Sequence, residues 1–100
     1  MEINHKTEDG VAFIAPVGKL TVQTAPELEE VIGSLGEDVT KVVIDLSAVD
    51  YVASAGLRVM VAAQKHLSSR GGTLELLSPS DDVYDVFEMT GLADILTIKR

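Results

Sequence analysis

Val42-Val43-Ile44-Asp45-Leu46-Ser47-Ala48-Val49-Asp50-Tyr51-Val52-Ala53-Ser54-Ala55-Gly56-Leu57 is the stretch that decides the fold. Its opening run of apolar residues predicts a strand over residues 41–46, covered on both faces. Residues 47–53 are expected to form a loop. Ser54 is expected to cap a helix whose buried side carries Leu57, Met60, Val61 and Leu67. Gly71-Gly72 supplies its stop. A buried strand that passes through a short loop into a helix is a building unit of α/β domains.

The same logic extends outward in both directions. Toward the N-terminus, Ile3, His5 and Thr7 alternate, Asp9-Gly10 is a turn pair, and residues 11–17 are rich in strand formers. This predicts a β-hairpin. Pro16 predicts that the second strand frays or lies near an edge at its end, and Gly18 is expected to release the chain toward a helix. Thr24 and Glu27 have capping-box spacing, with Pro26 in the first turn. Leu28, Val31, Ile32 and Leu35 repeat at helical spacing, and Gly36 is the expected stop. Toward the C-terminus, residues 73–77 read as a strand and residues 78–82 as a loop and cap cluster. Val83, Val86 and Phe87 give a third helix its apolar face, Gly91 stops it, and residues 95–98 read as a last short strand. The expected order is ββαβαβαβ. It implies an α/β domain over residues 1–100, with a mixed sheet of about five strands packed by three or more helices.

Composition narrows the function. Sixteen acids against eight Lys and Arg leave a net charge of −8. That argues against nucleic acid and against anionic lipid surfaces, which need a basic footprint. With 46% hydrophobic residues the chain is too apolar for intrinsic disorder. At 100 residues it has a thin core and little room for a deep substrate cavity. No cysteine is present, which excludes a disulfide framework, a zinc ribbon and a thiol nucleophile. Neither a signal peptide nor a membrane-spanning run is visible, so no membrane insertion and a cytoplasmic location are expected.

The search for catalytic chemistry returns little. His5 and His66 lack metal-pair spacing and read as surface residues. No phosphate-cradling glycine motif occurs, so no cofactor or metal is expected. Asp45 ends a strand, where functional loops of open α/β sheets lie, yet it serves equally as a cap. No Asp, Ser and His set suggests acyl transfer. The expectation is a binding protein, not an enzyme. Residues 53–57 are more informative. Ser54 is flanked by small Ala53, Ala55 and Gly56, which leaves its hydroxyl sterically open. Gly56 costs a helix about 1 kcal/mol relative to Ala, which suggests a close approach to the backbone. Capping and packing account for the same residues.

Asp45-Leu46-Ser47 followed by Tyr51-Val52-Ala53-Ser54-Ala55-Gly56-Leu57 resembles the signature of STAS domains, specifically the bacterial anti-sigma factor antagonists. Residues 18–25, from Gly18-Lys19-Leu20 to Thr24-Ala25, resemble that family's glycine-led approach to its first helix. Val86-Phe87-Glu88-Met89-Thr90-Gly91-Leu92 resembles its C-terminal motif. The likeness covers nearly the whole chain, with the three motifs in family order.

The resemblance implies a non-enzymatic switch. Such an antagonist binds an anti-sigma factor, usually itself a serine kinase, and so frees the sigma factor. The kinase phosphorylates a serine that matches Ser54, and a phosphatase restores binding. By helical spacing Arg58, one turn on, could pair with that phosphate, and it reads equally as a solvated helix-face arginine. The implied partner face comprises Thr21, Val22, Ser47, Asp50, Tyr51, Ala53, Ser54, Ala55, Gly56 and Arg58. Two positions depart from the family pattern: Ala53 and Thr21 stand where many members carry acids that help orient the hydroxyl or a kinase-bound metal. The rival reading is an accessory subunit of a lipid-exporting ABC-type transporter, with Ser54 only a cap. A small enzyme and a nucleotide-binding module are further rivals, and there is room for a weak homodimer.

Overall fold

A computed structural model describes residues 1–100. Strands β1 (Glu2–Glu8) and β2 (Val11–Leu20) form the N-terminal hairpin. They are antiparallel, with Glu8 opposite Val11. Asp9 and Gly10 both take positive φ (51° and 78°), as the two-residue turn of a right-twisted hairpin requires. Helix α1 (Ala25–Gly33) follows, then β3 (Lys41–Asp45), β4 (Val49–Val52), α2 (Ser54–Ser69), β5 (Thr73–Leu77), α3 (Asp81–Met89), a single 3₁₀ turn (Leu92–Asp94) and β6 (Thr97–Lys99).

The six strands form one mixed sheet in the order β1-β2-β3-β5-β6, with β4 pairing to β2 beyond the end of β3. All pairings except β1 with β2 are parallel. The expected mixed sheet is therefore present, with one strand more than predicted. Residues 49–52, expected as loop, form β4, and the order becomes ββαββαβαβ with the 3₁₀ turn before the last strand. Residues 97–99, not 95–98, make that strand.

The strand β2 runs past Pro16 and Gly18, so the expected fraying is corrected. β3 flanks β2 only from Val11 to Ile14, and β4 flanks it only from Gly18 to Leu20. Pro16 is buried in the gap between these two neighbours, where its missing N–H leaves neither of those parallel ladders incomplete. A bulge at Gly18/Lys19 then resets the register against β4.

The core lies between one sheet face and the helices. Ala12, Ile14, Val42, Ile44, Leu74 and Leu76 point into it from the sheet, and Leu28, Met60, Leu67, Val83 and Phe87 from the helices. On α2 the buried side also carries Val59 and Ala63, whereas Val61 is only half-buried. The other sheet face carries Lys6, Phe13, Lys41, Glu75 and Lys99 and is open to water, so β3 is covered on one side only. Val43 is nonetheless buried, because Phe13 and Glu75 flank it in register. Glu75 binds Lys41 at 3.1 Å and Lys99 at 3.3 Å. The hydrogen bond from Lys41, helped by Lys99 and opposed by desolvation, holds the Glu75 carboxyl below its ordinary value.

Helix ends follow the sequence in part. Ser80 caps α3, its Oγ accepting from the Val83 amide at 3.2 Å. Gly91 takes φ 77° just past α3, which suits a glycine stop. The predicted capping box at α1 does not form. Thr24 Oγ1 instead donates to the Lys19 carbonyl at 2.6 Å and accepts from the Thr21 amide at 2.8 Å. Helix α1 ends at Gly33, before Gly36, whose backbone is not left-handed. No helix is long and apolar enough to cross a membrane.

Candidate functional site

The site grows from the paired ends of β2 and β4. Leu20 lies beside Val52 in register, and the Ala53 amide donates to the Leu20 carbonyl at 2.7 Å. The residues that follow each strand, Thr21-Val22 and Ala53-Ser54, are thereby brought side by side. Val22 is 70% exposed and Tyr51 49% exposed, unusually open for residues of their size. Val22, Ser54, Ala55 and Arg58 share the lining of an open groove of about 840 Å³ that continues along α2 past Leu57 and Val61.

Ser54 is the first residue of α2 and not its cap. Ala53 occupies the cap position, with extended backbone (φ −85°, ψ 169°) and no side-chain bond to the helix. The Ser54 side chain is exposed and makes no hydrogen bond within the chain. A free hydroxyl thus stands at the positive end of a 16-residue helix with no acid in its first turn. An added anion would be welcome there electrostatically.

The remaining residues of the expected face divide. Gly56 is buried and is a packing residue. A Cβ there would stand 3.1 Å from Leu20 Cβ and 3.2 Å from Val52 Cγ1. The close approach that its sequence position suggested is made by the protein's own sheet. Thr21 is half-buried, and its Oγ1 accepts from the amides of Gln23 and Thr24 at 3.1 and 3.3 Å. Asp50 is exposed and pairs with Lys19 at 3.2 Å. Ser47 is not close to Ser54. It precedes β4, and the four residues of that strand span ~13 Å. Its amide donates to Asp45 Oδ1 at 2.9 Å, which makes Asp45 a turn former. Ala55 is half-buried and lines the groove with the exposed Arg58.

Sequence reasoning missed Lys65, which lines the groove two turns beyond Arg58, and the apolar wall formed by Ala25, Leu57 and Val61. Helical spacing from Ser54 was the available signal for Lys65. His, Cys, Asp and Glu side chains form no cluster able to hold a metal.

The STAS domain family model matches residues 2–100. The chain belongs to the STAS family. Within it, the anti-sigma-B factor antagonist of Staphylococcus aureus is 34% identical over 101 residues, covering 100% of this chain and 94% of that protein. Its counterpart in Listeria monocytogenes is 37% identical over 103 residues, covering 100% and 88%. Among solved structures, a putative anti-sigma factor antagonist from Thermotoga maritima superposes with a TM-score of 0.89 at 29% identity, covering 98% of this STAS chain and 86% of that one. The family likeness read from the three sequence motifs agrees with all of these.

Proposed function

We propose that this STAS domain is an anti-anti-sigma factor: it binds an anti-sigma factor of the serine-kinase type in the cytoplasm and so releases a sigma factor. Relatives named anti-sigma-B factor antagonist, matched over the whole of this chain and 88–94% of their own length, support the role. The observation that carries the site is Ser54 itself, an exposed hydroxyl with no bond to its own protein, lining one groove with the exposed Val22. The function is regulated binding rather than turnover.

Phosphorylation by the partner is the switch. Ser54 Oγ attacks the γ-phosphorus of ATP held by the partner; the new O–P bond forms as the bond to the bridging oxygen breaks. ADP leaves and the serine proton passes to a base or water. Thr21 is occupied by its own turn, and Ala53 has no polar side chain. The catalytic base and metal therefore come from the kinase. The folded domain tolerates the phosphate at the N-terminus of α2, where helix amides and the dipole favour an anion. A closely packed interface does not tolerate it. A phosphatase reverses the step.

Titration calorimetry with the anti-sigma factor of the same genome tests this reading. Wild type and Ser54→Ala should bind, and Ser54→Asp should bind roughly a hundredfold more weakly, equivalent to ~3 kcal/mol. Mass spectrometry after incubation with that partner and ATP should find one phosphate, on Ser54. Equal binding by all three proteins, or a phosphate on Ser47 or Ser68 with Ser54 untouched, overturns it.

A further inference from the structure

The cations of this acidic chain are almost all occupied. Lys6, Lys19 and Arg100 each hold a carboxylate, and Lys41 and Lys99 share that of Glu75. Arg70 donates to the carbonyls of Gly36 and Val39. Arg58 and Lys65 are the exceptions: both are exposed and neither has a carboxylate or carbonyl partner. They lie seven residues apart on α2, which is about two turns and ~10 Å along one face. Both line the groove beside Ser54, where Glu29 is the sole acid.

We infer that the groove receives an acidic amphipathic segment of the partner. Its apolar side chains lie against Val22, Leu57 and Val61, and two of its carboxylates meet Arg58 and Lys65. The partner's identity rests on the anti-sigma reading above; the chemistry of its docking segment rests on charge and exposure alone. A net charge of −8 disfavours an acidic partner over most of the surface, and two cations with no partner in the fold mark where such a segment lands. A helix with acids seven residues apart matches the spacing.

The same geometry gives the phosphate a specific target. Ser54 precedes Arg58 by four residues, on the same face of the helix. A phosphate on Ser54 takes the guanidinium in a charge-assisted hydrogen bond and repels the incoming carboxylate. The modification and the partner therefore compete for one cation, while Lys65 stays outside the contest.

The test is calorimetry with the same anti-sigma factor at low and at physiological salt. Arg58→Glu and Lys65→Glu should each weaken binding about tenfold or more, and wild-type affinity should fall as salt rises. Melting temperatures should not change, because neither residue has a partner in the fold. Lys6→Glu, an equal charge change on β1, should bind as wild type. In an Arg58→Gln background the further loss caused by Ser54→Asp should shrink. Two results overturn the inference while leaving the anti-sigma reading intact: wild-type affinity in both reversals while Val22→Asp loses binding, or an equal loss in Lys6→Glu. Failure of the wild-type domain to bind at all removes the anti-sigma reading and the inference with it.

Discussion

The Ala53 amide donates to the Leu20 carbonyl at 2.7 Å, and the side chain of that same Leu20 faces the Gly56 backbone. The end of β2 and the start of α2 are thus joined twice within one turn. Gly56→Ala sets two effects against each other. The helix gains about 1 kcal/mol in propensity. The new methyl meets Leu20 Cβ at 3.1 Å and Val52 Cγ1 at 3.2 Å, and overpacking of this kind costs about 1–3 kcal/mol. Urea unfolding should show a net loss on the order of 1 kcal/mol. A more stable variant would mean that the neighbours yield.

Two serines stand at helix starts with different roles. Ser80 accepts from the Val83 amide, so Ser80→Ala should lower stability by about 1 kcal/mol. Ser54 makes no cap bond, so Ser54→Ala should change stability by less than ~0.5 kcal/mol. Parallel melts of the two variants check the contrast.

Glu75 gives the open sheet face a pH dependence. Its carboxyl lies below the ordinary value in the fold, chiefly through the hydrogen bond from Lys41 and then through Lys99. The ionised form is therefore favoured by folding. The stabilisation is present above the unfolded value of 4.5 and is lost as pH falls through the lower folded value. Melting temperature measured from pH 7 downward should fall more steeply for wild type than for Glu75→Gln. Parallel curves would exclude this coupling.

Tyr51 and Val22 are exposed and lie outside the core, so truncating them should spare the fold. Tyr51→Ala and Val22→Asp should each weaken anti-sigma factor binding by about tenfold or more, with melting temperatures within a degree or two of wild type. Retained affinity in both would move the interface away from the paired ends of β2 and β4.

Much of the fold is legible because periodicity and turn chemistry agree. Asp9-Gly10 predicts its own hairpin, and the spacing of Leu57, Met60 and Leu67 marks the buried side of α2. Strand β4 escapes because the bulge at Gly18/Lys19 inserts Asp50 between Val49 and Tyr51. Val49 and Val52 are then both buried while Asp50 and Tyr51 are both exposed, so no alternation survives in the sequence. Thr24 escapes because a carbonyl five residues back outcompetes its own helix for the hydroxyl. Val43 misleads because neighbouring strands shield it without a covering helix. At the site, Ser54 and its small neighbours are local in sequence and were readable. The solitude of Arg58 and Lys65 was not, since it depends on which acids reach the other cations across the fold.

Strand β4 also has a thermodynamic consequence for recognition. The four residues that lead to Ser54 are already fixed against Gly18–Leu20 before any partner arrives. Immobilising a free loop costs about 1–2 kcal/mol of backbone entropy per residue. A flexible tether of that length would subtract several kcal/mol from every binding event. Here that ordering cost belongs to folding. A small interface can therefore bind tightly, and one added charge can decide whether it does.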